Sequence, residues 1–89
     1  FRSVVLSRSP AIAFYAGSRW EPTPNAEYGQ ILTYARASGV HYIVLDEGET
    51  HDLRPQLAFL LDESTVPPEL ELLHVHRSVR GRLLVFRLI

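Results

Sequence analysis

Ser18-Arg19-Trp20-Glu21-Pro22-Thr23-Pro24-Asn25 is a proline-marked stop, and it is followed at once by a helical pattern and then by a buried-strand pattern. Few folds accommodate that order. Pro22 and Pro24 each lack a backbone donor, so a strand over Arg19-Trp20-Glu21 is confined to a sheet edge. Asn25 is the expected cap of the next helix, with the Glu27 carboxylate in its first turn, where the helix dipole favours it. Tyr28, Ile31, Leu32 and Ala35 recur at i, i+3, i+4 and i+7, one face of a helix. Gly39 supplies a left-handed stop. The run His41-Tyr42-Ile43-Val44-Leu45 is apolar almost throughout, the pattern of a parallel strand covered on both faces.

The flanking segments extend this alternation. Val4-Val5-Leu6 reads as a short buried strand. Ser9 and Pro10 are suited to cap and open a short helix over residues 11–16 that stops at Gly17. After the central strand, Asp46-Glu47-Gly48-Glu49 reads as an acidic turn. A further helix is expected to begin at Asp52 or Arg54, with Pro55 in its first turn and an apolar face of Leu53, Leu57, Leu60 and Leu61. Glu71 to His76 and Arg82 to Leu88 then form two strands joined through Ser78-Val79-Arg80-Gly81, an antiparallel hairpin. The expected fold is α/β. It is a small three-layer Rossmann-like domain whose mixed sheet of about five strands has a parallel βαβαβ front and a C-terminal antiparallel hairpin.

Composition narrows the function classes. The 89 residues suffice for a single domain, 1–89, and the 46% apolar content is that of a globular core. With no cysteine, disulfides and thiolate metal sites are excluded. All nine basic residues are arginines, scattered along a chain of net charge −1, so a nucleic-acid partner is not expected. No apolar run approaches the ~20 residues of a membrane span. The chain opens at Phe1 and contains no methionine. The expectation is therefore a soluble piece excised from a longer protein.

Parallel sheets bind ligands beyond the carboxyl ends of their strands. Two such ends are Ser7-Arg8-Ser9 and Asp46-Glu47. If their strands are neighbours, Arg8 can meet Asp46 or Glu47, as a polar pocket for a sugar or phosphate or as an ordinary surface ion pair. Trp20 suits stacking on a sugar or partner as well as edge packing. Neither strand end carries a glycine-rich phosphate loop, so no nucleotide cofactor is expected. His74 and His76 alternate on one strand face, but no third ligand follows at metal-binding spacing, and half-exposed histidines are the simpler reading. His41 has no evident partner. The acids around Gly48 do not follow a calcium-loop spacing, and no serine sits in a nucleophile elbow. No catalytic, metal or cofactor site is expected; the candidate ligand-binding residues are Arg8, Arg19, Trp20, Asp46 and Glu47.

The strand ending Ser7-Arg8-Ser9-Pro10, then Phe14-Tyr15-Ala16-Gly17-Ser18-Arg19, Pro22-Thr23-Pro24, an amphipathic helix and Gly39-Val40-His41-Tyr42-Ile43-Val44-Leu45-Asp46 resemble the C-terminal extracytoplasmic region of bacterial membrane glycosyltransferases. These are similar to the dolichyl-phosphate-mannose protein mannosyltransferase and aminoarabinose transferase group. The resemblance implies a non-catalytic accessory domain of an enzyme that moves sugar from a polyprenyl-phosphate donor on the extracytoplasmic side of the cell membrane. Its partners would be the membrane-embedded half of the parent protein and a sugar or lipid-linked sugar. In that family the catalytic acids lie in the membrane half, so no catalytic residue carries over. The alternative is a free-standing binding or oligomerisation module that uses the hairpin edge.

Overall fold

A computed structural model describes residues 4–7, 19–79 and 81–89. Over these residues the chain is a mixed α/β fold with more strands than helices. The strands are β1 (Val4–Ser7), β2 (Arg19–Pro22), β3 (Tyr42–Asp46), β4 (Leu70–Ser78) and β5 (Gly81–Leu88). Two α-helices, α1 (Tyr28–Ala37) and α2 (Glu47–Leu53), and a 3-10 helix (Pro55–Leu61) complete the described elements. The expected helix over residues 11–16 and Arg8 lie outside the described residues.

The five strands form one mixed sheet in the order β2-β1-β3-β5-β4. β1 runs parallel to both β2 and β3, and β5 runs antiparallel to both β3 and β4. All four residues of β1 are buried, as a strand with neighbours on both sides requires. β2 takes the edge, where Pro22 removes no ladder bond that the sheet needs. β1 and β3 are also stitched at their start, where His41 N–H donates to the Val4 carbonyl at 2.9 Å. The Val4 N–H in turn donates to His41 Nδ1 at 3.1 Å. His41 therefore has a partner that the sequence did not reveal, 37 residues away.

α1 carries the expected apolar face. Ile31 and Ala35 are buried, and Tyr28 and Leu32 pack beside them. Its start differs from expectation. The helix begins after Glu27, whose N–H donates to the Gln30 side chain at 3.2 Å. Asn25 instead accepts from Gln56 Nε2 at 3.1 Å. Gln30 thus supplies the cap from inside the first turn, leaving Asn25 to tie the incoming loop to the 3-10 helix. At the other end Gly39 has φ of 69°, and Val40 N–H closes onto the Ala35 carbonyl at 2.9 Å.

The segment after β3 departs further from expectation. Asp46-Glu47-Gly48-Glu49 is not a loop turn. Asp46 caps α2 by accepting from the Glu49 N–H at 3.0 Å, and the helix starts on the next residue. It ends at Leu53, because the residue before a proline is pushed out of helical geometry, and Arg54 has φ −139° and ψ 56°. The separate 3-10 helix that Pro55 opens buries Leu57, Leu60 and Leu61. Leu53, expected on the same apolar face, remains 43% exposed because it belongs to the other helix.

The hairpin is present and slightly longer than its sequence pattern. Alternation along β5 sends Leu84 and Phe86, both fully buried, to one face of the sheet. There they join Leu6, Ile43 and Leu45 beneath α1 and the 3-10 helix, in the principal core. Each such side chain contributes about 1.5–3 kcal/mol by leaving water. Val5 and Val44 are buried on the opposite face, with Tyr42, Leu83 and Val85 partly buried against them. An irregularity in β4 between Leu72 and His74 shifts its alternation. As a result Leu72 pairs with Phe86 and Val75 with Leu84, so both reach the principal core although three positions apart.

Candidate functional site

The carboxyl ends of β1, β2 and β3 lie at one edge of the sheet, since the three strands are mutually parallel. Ser7 ends β1, Thr23 follows β2, and Asp46 ends β3. The fold brings Asp46 and Glu47 to this edge. It does not bring Arg19, which opens β2 opposite Val4 and so lies at the amino ends of the same strands. Arg8 lies outside the described residues. The candidates therefore do not form one cluster.

Each described candidate has a structural partner. Arg19 Nη2 donates to the Ser38 carbonyl at 3.1 Å, at the carboxyl end of α1, where the helix dipole favours a cation. It also lies 3.7 Å from Glu21. Glu21 accepts from the Tyr34 hydroxyl at 2.6 Å, and that bond raises the tyrosine pKa. Asp46 is the cap of α2. Trp20 Nε1 donates to the Ser7 carbonyl at 2.9 Å, which fixes one edge of the indole while the residue stays 36% exposed.

Glu47 is the most heavily engaged. Its Oε1 accepts from Arg82 N–H at 2.9 Å and from Arg82 Nε at 3.1 Å, and its Oε2 accepts from Arg82 Nη2 at 3.0 Å. Arg82 Nη1 continues to the Leu61 carbonyl and to Glu63 Oε2, both at 2.8 Å. Glu63 also takes both contacts of Arg77 Nη2, at 2.9 and 3.0 Å. The Arg82 side-chain bonds, then its backbone N–H, lower the Glu47 pKa to about 2. Arg82 likewise lowers the Glu63 pKa, and its own is raised by the two carboxylates. With three donors from Arg82 favouring its ionised form, Glu47 is poorly suited to carry a proton. It locks α2 to the hairpin, because Arg82 follows the β4–β5 turn.

Two residues that sequence reasoning missed also occupy the carboxyl edge. Thr23 N–H donates to the Ser7 carbonyl at 3.2 Å, the acceptor that Trp20 also uses. The Thr23 carbonyl accepts from Arg54 Nη2 at 3.0 Å, while Arg54 Nη1 donates to the Leu53 carbonyl at 2.7 Å. Thr23 is 4% exposed, and among the described residues neither its Oγ1 nor the buried Nε of Arg54 has a hydrogen-bond partner. Pro22 and Pro24 marked the end of a strand in the sequence, but no local pattern signalled that the hydroxyl between them is buried.

His74 and His76 share a face with Val85 and Leu83, and both are exposed. Among the described residues no three His, Cys, Asp or Glu side chains come close enough to hold a metal ion. No described helix is long and apolar enough to cross a membrane. Compared with known protein families, with curated proteins and with solved structures, the chain finds no match.

Proposed function

We propose that this chain is a non-catalytic accessory domain of a membrane-bound glycosyltransferase that takes its sugar from a polyprenyl-phosphate donor. In this reading it packs on the extracytoplasmic side against the membrane-embedded half of the parent protein. It helps position a sugar or lipid-linked sugar there. The three parallel strands, with α1 connecting β2 to β3, are read as the front of a Rossmann-like three-layer domain.

One observation carries the non-catalytic part. The carboxylates at the carboxyl edge of the parallel strands serve the fold: Asp46 caps α2, and Glu47 accepts three hydrogen bonds from Arg82. General acid–base work needs a group whose proton is free to move near neutral pH. The family part is supported by the resemblance of residues 7–46 to the tail domains of these transferases.

The test has two arms. The purified chain is incubated with a polyprenyl-phosphate sugar and an acceptor, and no transfer is expected; turnover ends the non-catalytic reading. The genomic reading frame upstream of Phe1 is expected to encode a multi-span membrane region, and a frame without one ends the transferase reading.

A second reading has its own support. β4 is an edge strand of nine residues without proline, and Leu73 on it is 47% exposed. Such an edge suits strand addition by a partner. Sedimentation of the isolated chain separates the two readings: a stable dimer favours an oligomerisation module, and a monomer at all concentrations favours the accessory domain.

A further inference from the structure

The geometry points to a phosphoryl-binding site at the carboxyl edge of the sheet, formed by Arg54 and Thr23. It rests on the preceding reading only for the choice of a glycosyl phosphate as the ligand.

Arg19, Arg77, Arg82 and Arg87 each contact a carboxylate. Arg82 has Glu47 and Glu63, Arg77 has Glu63, and Arg87 has Glu71. Among the described residues Arg54 has two carbonyls and no carboxylate. The bond to Leu53 complements the carboxyl end of α2, a structural role. The two carbonyl bonds leave three of the five guanidinium N–H groups without a partner among the described residues, and one of them, on Nε, is buried. The residue whose carbonyl this guanidinium holds, Thr23, has its own Oγ1 buried and without a partner among the described residues. Buried polar groups without partners are costly, and a phosphate satisfies both residues: its oxygens accept from the Arg54 Nε–H and from the Thr23 hydroxyl. Because both atoms are buried, binding requires the Arg54 side chain to turn outward from its two carbonyl partners.

The surroundings suit this ligand. Of the acids that end β3 and open α2, Asp46 accepts from the Glu49 N–H and Glu47 from Arg82. The position is the edge where parallel sheets hold phosphorylated ligands. Arginine in a planar fork is the side chain that best matches a phosphate. Trp20 shares the Ser7 carbonyl with Thr23, so the indole next to the site is a reporter built into the chain.

The experiment titrates the isotopically labelled chain with four probes: inorganic phosphate, a hexose 1-phosphate, the free hexose, and a short-chain isoprenyl phosphohexose in micelles. Arg54 Nε–H is followed by NMR and Trp20 by fluorescence. A saturable downfield shift of the Nε–H is expected with all three phosphorylated probes and none with the free hexose. Tighter binding of the hexose 1-phosphate than of phosphate identifies a soluble sugar phosphate as the source. A further gain with the isoprenyl form identifies a lipid head group. Arg54→Gln is expected to weaken binding by about tenfold or more, Thr23→Val to weaken it less, and Arg36→Gln to leave it unchanged. No saturable shift with any phosphorylated probe in the unaltered chain overturns the site, as does unchanged affinity in a folded Arg54→Gln chain. Binding by a chain whose reading frame encodes no membrane region keeps this site and ends the transferase reading. A membrane region upstream of a chain that binds no phosphate does the reverse.

Discussion

Arg82 and Glu47, 35 residues apart, are joined by three hydrogen bonds of 2.9 to 3.1 Å, one of them from the arginine backbone. The contact fastens the first turn of α2 to the start of β5. Arg82 also reaches the Leu61 carbonyl at the end of the 3-10 helix, so one side chain secures three elements. Arg82→Met is therefore expected to lower the melting temperature more than Arg87→Met, whose ion pair with Glu71 is half-exposed. Thermal unfolding of the two variants checks the order.

The same contact sets an acid limit on stability. Glu47 has a depressed pKa in the folded chain, about 2, because Arg82 donates to its ionised form. A carboxyl whose folded pKa lies below its unfolded value stabilises the fold above the unfolded pKa, roughly 4.3. That stabilisation fades as pH falls from there through the folded value. Urea midpoints measured from pH 5 down to pH 2 are expected to fall for the unaltered chain and to fall less steeply for Glu47→Gln. Parallel curves contradict the assignment.

Gly81 adjoins this carboxylate. It has φ of 114°, a region that L side chains rarely adopt, and a Cβ placed there lies 3.2 Å from Glu47 Oε1. Gly81→Ala is expected to destabilise the chain through both backbone strain and displacement of Glu47, by about 1–3 kcal/mol. Combining it with Glu47→Ala removes the crowding and leaves the strain. The two changes should therefore be less than additive in a double-mutant cycle.

What could be read from the sequence follows from how local each signal is. The face of α1, the stop at Gly39 and the edge position of β2 are written within a few residues each, as periodicity, a glycine and two prolines. The hairpin was legible for the same reason. The partners of His41, Glu47 and Thr23 were not, because each is met across 16 to 37 residues by packing that no spacing encodes. Asp46 was misread for a different reason. An acidic Gly-containing cluster after a strand has the composition of a turn, and only the Glu49 N–H shows it to be a cap. The candidate site suffered most, since residues grouped by their chemistry, Arg19 and Asp46, lie at opposite ends of the parallel strands.

The break at Arg54-Pro55 yields the last prediction. As one continuous helix, Leu53 and Leu57 would share an apolar stripe and truncations of either would cost alike. The chain instead places Leu53 on α2 at 43% exposure and Leu57 on the 3-10 helix at 1%. Leu57→Ala is expected to cost about 2–5 kcal/mol, the range for a buried leucine whose cavity does not fully collapse. Leu53→Ala should stay within about 0.5 kcal/mol, as exposed substitutions do. Urea unfolding of both variants decides the matter. Equal losses require a single helix through Pro55, which the missing proline N–H and the non-helical Arg54 backbone oppose.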